Sequence, residues 1–186
     1  MKNILTLKNL KIVKEMSEET LCFHATLYLD NKKIGNVSNH GQGGPNDYHF
    51  KEHKMKVELE SLAFDYVKEH NLLKNYSNEM QGEFALEYMI DHLIDYKISE
   101  NDLRKKMRTD MILKNTDCSK GEFYFFSKKK LGVNRYNIVK KCTELASASF
   151  TKFKSPKILN GMGTDQAIKL WHEETVGATN KIFFNF

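Results

Sequence analysis

The sequence has few of the residues that mark secreted, disulfide-bonded or membrane proteins. Its 186 residues include two prolines and three cysteines, Cys22, Cys118 and Cys142, which lie far apart and form no CxxC pair. We therefore expect reduced, mostly buried thiols instead of a disulfide framework or a zinc ribbon. No apolar run approaches the roughly 18 residues of a membrane-spanning helix, and the start of the chain lacks the apolar segment of a signal peptide. These absences predict a cytoplasmic protein that does not enter a membrane.

The motifs of common catalytic sites are also missing. There is no GxSxG nucleophile elbow, and the His172-Glu173-Glu174 run is not completed by the PCxxC of a zinc deaminase. No paired carboxylates and no third metal ligand at a known spacing are found. We therefore expect no cofactor and no metal, and we favour a binding function over an enzymatic one.

The residues that are present indicate an ordered globular protein. Hydrophobic residues make up 40% of the chain, with twelve phenylalanines and eight tyrosines, which is enough to bury a core. We expect a single domain over residues 1–186. It could be subdivided into a β-rich part (1–54), a helical part (55–114) and a mixed basic part (115–186).

Hydrophobic periodicity predicts an α+β fold. Alternating apolar and polar residues predict strands at 4–13, 20–29, 34–38 and 48–53, which would form an N-terminal antiparallel β-meander. A helical period then predicts helices at 55–71 and 78–96, and a capping-box-like Ser99 with Asp102 predicts the start of a third, which would bear Leu103, Met107 and Met111. The mixed C-terminal part is predicted to contain an aromatic strand at 122–127, helices at 134–145 and 164–175, and a terminal strand at 181–186.

The charge of the chain is unevenly distributed. Residues 104–157 carry 15 Lys and Arg against 4 Asp and Glu, whereas residues 1–103 carry 12 against 17. Clustered cations concentrate anionic ligands near a protein surface. This asymmetry predicts an anionic partner, either nucleic acid or a phosphorylated or nucleotide ligand, and it also fits an acidic protein surface.

The basic segment interleaves aromatic side chains with cations, as single-strand nucleic-acid sites do. In the simpler interpretation, alternate aromatics of the strand face the core and the lysines are its solvated end. The cations at 104–108 would occupy the first turns of the third predicted helix, where positive charges oppose the helix dipole. This local cost suggests that they are present for a reason other than helix stability. The candidate ligand-binding residues of this segment are Arg104, Lys105, Arg108, Tyr124, Phe126, Lys128, Lys129, Lys130, Arg135 and Tyr136.

A glycine-rich loop, Asn39 to Tyr48, follows the third predicted strand. Its GxGG pattern could turn successive backbone N–H groups toward an anion, so Gly41, Gly43, Gly44 and Asn46 are candidates for a secondary ligand contact. The sequence matches neither a Rossmann fingerprint nor a P-loop. A tight structural loop made rigid by Pro45 is the alternative.

The histidines near this loop leave a hydrolytic function open. His40 and His49 are weak catalytic candidates as general acid or base, and His49 and His53 have a spacing that could place both rings on one face. Asp91, His92 and Asp95, on the second predicted helix, could form a charged site, but a solvated stripe on an otherwise apolar helix is the simpler interpretation.

Three functions follow from these features. The preferred one is a non-enzymatic protein that binds a polyanion through the basic and aromatic segment. The alternatives are an accessory or inhibitor protein of phage or mobile-element type that binds a host protein, and a small His-dependent phosphoesterase or hydrolase. The richness in Lys, Asn, Ile and Phe resembles that of small accessory proteins of AT-rich bacteria, their phages and mobile elements. A homo-oligomer is compatible with the sequence.

Overall fold

A computed structural model describes residues 5–70, 78–116, 118–132, 156–175 and 183–185, and the single positions 137, 140 and 144; for 78–83 and 183–185 it describes the backbone alone. The fold is α+β, as predicted: an N-terminal antiparallel sheet, central helices, and a smaller C-terminal sheet with a helix. The chain divides into two compact units, Met1–Asp95 and Tyr96–Phe186. Compact units can belong to one domain, so the single-domain prediction stays a prediction.

The first unit is built on the predicted β-meander. Strands β1 (Leu5–Ile12), β2 (Phe23–Leu29), β3 (Lys32–Asn39) and β4 (Asp47–Phe50) pair antiparallel in sequence order, and a 3₁₀ turn at Lys14–Met16 precedes β2. Asp30 and Asn31 connect β2 to β3 with φ of +47° and +65°, a backbone conformation that Asp and Asn tolerate better than most residues.

Alternate residues of β2 supply the centre of the first unit's core. Ala25 and Leu27 are completely buried, because side chains two residues apart leave a strand on the same face. Helix α1 (His53–Glu69) buries Leu59, Ala63 and Val67, which follow each other at four-residue intervals on one face. The helix predicted at 55–71 is thus confirmed within two residues at each end.

Helix α2 (Asn78–Thr109) is one continuous helix of 32 residues. The prediction of two helices, the second starting at Ser99, was wrong. Ser99 is buried inside α2, and its Oγ lies 3.2 Å from Nδ1 of His172. The hydroxyl therefore makes a tertiary contact and does not cap a helix start.

The second unit contains a mixed four-stranded sheet. Its strands are β5 (Asp110–Lys114), β6 (Phe123–Ser127), β7 (Lys157–Ile158) and β8 (Phe183–Asn185), in the order β7-β5-β6-β8, with β8 parallel to β6. The aromatic strand and the terminal strand are confirmed. Strand β5 was not predicted, and Met111 belongs to it and not to a helix.

The helix predicted at 164–175 is confirmed as α4 (Thr164–Thr175), which packs against this sheet. The Trp171 ring lies 4.6 Å from the ring of Phe123 and 6.3 Å from that of Phe125, between centroids. The four-residue helix α3 (Lys128–Leu131) follows β6 directly, and a 3₁₀ turn, Leu159–Gly161, precedes α4. The buried cluster between helix and sheet consists of Leu103, Ile112, Phe123, Phe125, Leu159, Ala167, Ile168 and Trp171.

Some predictions fall beyond the part of the chain that the structure describes. The helix predicted at 134–145 lies there, apart from positions 137, 140 and 144, and so does Cys142. Cys22 is a buried free thiol, and Cys118 is a half-buried one. Among the described helices, none is long and apolar enough to cross a bilayer.

Candidate functional site

The predicted cations at 104–108 lie at the C-terminal end of α2, which ends at Thr109. Positive side chains in the last turns of a helix complement its dipole. The prediction that these charges oppose a dipole was therefore wrong, and the dipole gives no reason to look for another purpose. Arg104, Lys105 and Arg108 are all exposed.

Glu100 holds one of these cations. Its carboxylate accepts hydrogen bonds from Lys97 Nζ at 2.7 Å and from Arg104 Nε at 2.8 Å. Partial burial alone would raise the pKa of Glu100, but the two cationic donors lower it below its usual value. A guanidinium has five N–H donors. The described residues supply a partner for one of those of Arg104, so the other four can bind a ligand.

A second basic segment lies beside the first. The Lys128 ammonium donates a hydrogen bond to the backbone carbonyl of Met107, which joins the start of α3 to the last turns of α2. Lys129 and Lys130 follow on α3 and are exposed. We call the six cations Arg104, Lys105, Arg108, Lys128, Lys129 and Lys130 the basic surface.

The aromatic residues of β6 divide between the two faces of the sheet. Phe123 and Phe125 are buried in the core against Trp171. Tyr124 and Phe126 are half-buried on the opposite face, where they pack against Met111 and Leu113. The simpler interpretation thus holds for Phe123 and Phe125, whereas base stacking on Tyr124 and Phe126 stays a prediction. Arg135 and Tyr136 lie outside the described residues.

A cleft of about 350 Å³ borders the basic surface. Arg104 and Arg108 line it from α2, together with Asn160 from the 3₁₀ turn and Thr164 at the start of α4. The deeper lining is apolar, and it includes Met107. The two arginines, four residues apart, lie on the same side of α2.

The glycine loop uses its N–H groups within the protein. Gly41 N–H donates to Asn39 Oδ1 at 2.9 Å, and Gly43 N–H donates to Thr20 Oγ1 at 3.3 Å. Asn39 Nδ2 in turn donates to the carbonyl of Gly44 at 3.2 Å. A ligand-binding role for Gly41, Gly43, Gly44 and Asn46 stays a prediction that these contacts do not favour.

A second cleft, of about 390 Å³, lies beside the glycine loop and is acidic. Asn46 N–H donates to Glu87 Oε1 at 2.7 Å, the Tyr48 hydroxyl donates to Glu87 Oε2 at 2.9 Å, and Asn46 Nδ2 donates to Asp91 Oδ1 at 3.3 Å. Burial and the Glu87 carboxylate raise the pKa of Tyr48 far above its usual range. A phosphate placed here would meet carboxylates instead of cations.

Asp91 is the perturbed carboxyl of this acidic cleft. Although more than a third of the residue is exposed, partial burial and the nearby Glu87 and Asp95 carboxylates raise its pKa to about 6, against the hydrogen bond from Asn46. Sequence reasoning took Asp91 and Asp95 for a solvated stripe and overlooked Glu87. The spacing of the three carboxylates, four residues apart on one helix, was the available signal.

The candidate histidines lie at the surface of the first unit. His40 Nε2 is 3.6 Å from Asp47 Oδ2, with both side chains mostly exposed. His49 is exposed on β4, whereas His53 is the first residue of α1, so the two do not share a face of one element. Within the described ranges, no group of three or more His, Cys, Asp or Glu side chains is arranged to hold a metal ion.

We compared the chain with protein-family models, curated proteins and solved structures. No family model matches it, and no curated protein or solved structure is significantly similar.

Proposed function

We propose that the protein is a non-enzymatic binding protein that engages phosphate-bearing polyanions, either nucleic acid or a phosphorylated ligand, through its basic surface. The observation that carries this proposal is the hydrogen bond from the Lys128 ammonium to the Met107 carbonyl. Two segments that are separated by two strands in sequence thereby contribute cations to one region of the second unit. Such clustering raises the local concentration of anions.

Within the part of the chain that the structure describes, carboxylates neutralise little of this charge. Among the described residues, Glu100 is the only carboxylate within ion-pair distance of the basic surface, and it contacts Arg104 alone of the six cations. Exposed, unpaired Lys and Arg side chains are the groups that replace counterions on a nucleic-acid backbone. The acidic cleft of the first unit is a poor site for an anion, which supports a contact in the second unit.

The proposal includes a cytoplasmic location, where nucleic acids and phosphorylated ligands are both abundant. The proposal does not require the ligand to contact the glycine loop. The competing partner is an acidic protein surface, which would use the same cations without depending on phosphate.

The test is the salt dependence of binding to a labelled single-stranded oligonucleotide and to inorganic polyphosphate. If four cations contact phosphates, affinity for the single strand should fall about 50-fold between 50 and 200 mM salt. Arg108→Gln should weaken binding and reduce the salt slope by about 0.7. Lys11→Gln, which removes an exposed cation of the first unit, is the charge-matched control and should change neither.

Two results would overturn the proposal. The first is an affinity that is the same at both salt concentrations. The second is an equal loss in Arg108→Gln and Lys11→Gln, since net charge and not the basic surface would then determine binding. A stoichiometric protein complex that survives nuclease treatment, without any affinity for the two phosphate probes, would favour the acidic protein partner.

A further inference from the structure

The cleft beside the basic surface has a lining that phosphate binding alone does not need. Leu103, Ala167 and Ile168 are buried at its base, and the half-buried Met107 and Met162 continue the apolar surface. Bare phosphate chains carry no apolar group that could cover such a surface. The lining therefore indicates a ligand with both an anionic and an apolar part.

We infer that this cleft holds one nucleotide, with its phosphate against Arg104 and Arg108 and its base on the apolar floor that includes Met107 and Met162. The inference rests on the proposed function and specifies the ligand. Arginine suits phosphate because its planar guanidinium can present two parallel N–H donors. Methionine suits a flat aromatic ring because its thioether is polarisable and makes favourable contacts with aromatic groups.

Asn160 can contribute hydrogen bonds to the edge of the base. Its Oδ1 accepts from the Ile112 N–H at 2.7 Å, and its Nδ2 donates to the Asp110 carbonyl at 3.0 Å. These two bonds fix both the position of the side chain and which end is oxygen. A primary amide has two donor hydrogens and two acceptor lone pairs, so one of each is left over for a ligand.

The volume favours a ligand of about this size. Ligand pockets range from roughly 300 to 1,000 Å³, and a cleft of about 350 Å³ lies near the lower limit. A single base with its sugar phosphate matches it better than a stack of several bases. A longer strand would place one nucleotide in the cleft and its remaining phosphates along the basic surface.

One carboxylate limits the phosphate position. Glu100 occupies Arg104 Nε, whereas no carboxylate of the described residues lies within ion-pair distance of Arg108. An anion will therefore prefer the Arg108 end of the cleft. Arg108 is the residue whose replacement should matter most.

The experiment compares five probes by calorimetric titration of the full chain: AMP, adenosine, inorganic phosphate, hexyl phosphate and inorganic polyphosphate. We expect AMP to bind at least tenfold more tightly than adenosine, inorganic phosphate or hexyl phosphate. Arg108→Gln should weaken AMP binding about tenfold. Met162→Ala should weaken AMP binding about fivefold and leave polyphosphate binding unchanged. Lys11→Gln, the exposed control position in the first unit, should leave AMP binding unchanged.

The outcomes separate this inference from the function on which it rests. If polyphosphate binds with a steep salt dependence but AMP binds no better than inorganic phosphate, the nucleotide assignment is wrong and the polyanion function stands. If hexyl phosphate binds as well as AMP, the cleft accepts apolar groups in general and the base assignment is wrong. If no probe binds, both proposals are wrong.

Discussion

Replacing Gly41 by alanine should destabilise the protein far more than the same change at Gly44. Both residues have a left-handed backbone, with φ of +85° and +89°, which costs a residue with a Cβ about 1–2 kcal/mol. Alanine also restricts the unfolded chain, which offsets about 0.4–1 kcal/mol. At Gly44 an added Cβ would have no neighbour within 4 Å, so we expect a net loss of about 1 kcal/mol there.

The surroundings of Gly41 add a steric term. A Cβ on Gly41 would lie 2.0 Å from the Met16 carbonyl oxygen and 2.9 Å from Cys22 Cβ, so the backbone must shift. The Gly41 carbonyl accepts the N–H groups of Glu18, Glu19 and Thr20 at 2.9, 3.0 and 3.3 Å. Each such bond contributes about 0.5–1.5 kcal/mol, and losing two of them brings the total to about 3 kcal/mol.

Urea unfolding followed by circular dichroism measures both variants. The expected result is that Gly41→Ala lowers the free energy of unfolding by about 2 kcal/mol more than Gly44→Ala does. Equal losses would refute the reasoning, because the contacts of Gly41 would then contribute nothing. A normally stable Gly41→Ala variant that no longer binds polyanions would instead assign the loop to ligand contact.

Two further perturbations test the electrostatics of the fold. The raised pKa of Asp91 means that its protonated form is favoured in the folded state, so its contribution to stability is present below about pH 4 and is lost as pH rises through about 6. Asp91→Asn should therefore reduce the change in the free energy of unfolding between pH 4 and 6 by about 1 kcal/mol, after allowance for solvent screening. A variant with the same pH profile as the original protein would contradict this. Glu174→Ala removes the carboxylate partner of Lys114, whose side chain is 9% exposed and whose Nζ donates to Glu174 Oε2 and to the Ser119 carbonyl, each at 2.7 Å. We expect the free energy of unfolding in urea to fall by about 3 kcal/mol. A loss below about 1 kcal/mol would show that the Ser119 carbonyl is a sufficient partner.

Local patterns were enough to predict the first unit. Its strands pair only with their sequence neighbours, so alternation and turn residues such as Asp30 and Asn31 carry most of the information. Ser99 shows where local reasoning stops. A serine followed three residues later by an aspartate has the pattern of a helix start, but the contact with His172, 73 residues away, leaves the helix unbroken.

Strand β5 illustrates the same limit. Met111, Ile112 and Leu113 are all completely buried, because β5 lies between β6 and β7 with both faces covered. A short continuous apolar run of this kind is equally compatible with a buried helix. The partners that decide the matter, Phe125 and Ile158 among them, lie elsewhere in the chain.

The candidate site was predictable as a set of residue types and not as a surface. Charge counting identified Arg104, Arg108 and the lysine run. Asn160 could not have been found, because the position of its side chain depends on backbone groups of Asp110 and Ile112, about fifty residues earlier. Hydrophobic periodicity in the sequence does not predict a long-range contact between a side chain and the backbone.

The two sheets impose different demands on a chain that is still being synthesised. Each hairpin of the first sheet can close as soon as its own strands have emerged from the ribosome. In the second sheet, Phe123 of β6 pairs with Phe183 of β8, so β6 cannot form this parallel pairing until residue 183 has been synthesised. Pairing between strands so far apart in sequence is intrinsically slow. The aromatic strand therefore spends part of translation with one edge uncovered, and a nascent chain stalled in that interval would be the form most exposed to aggregation.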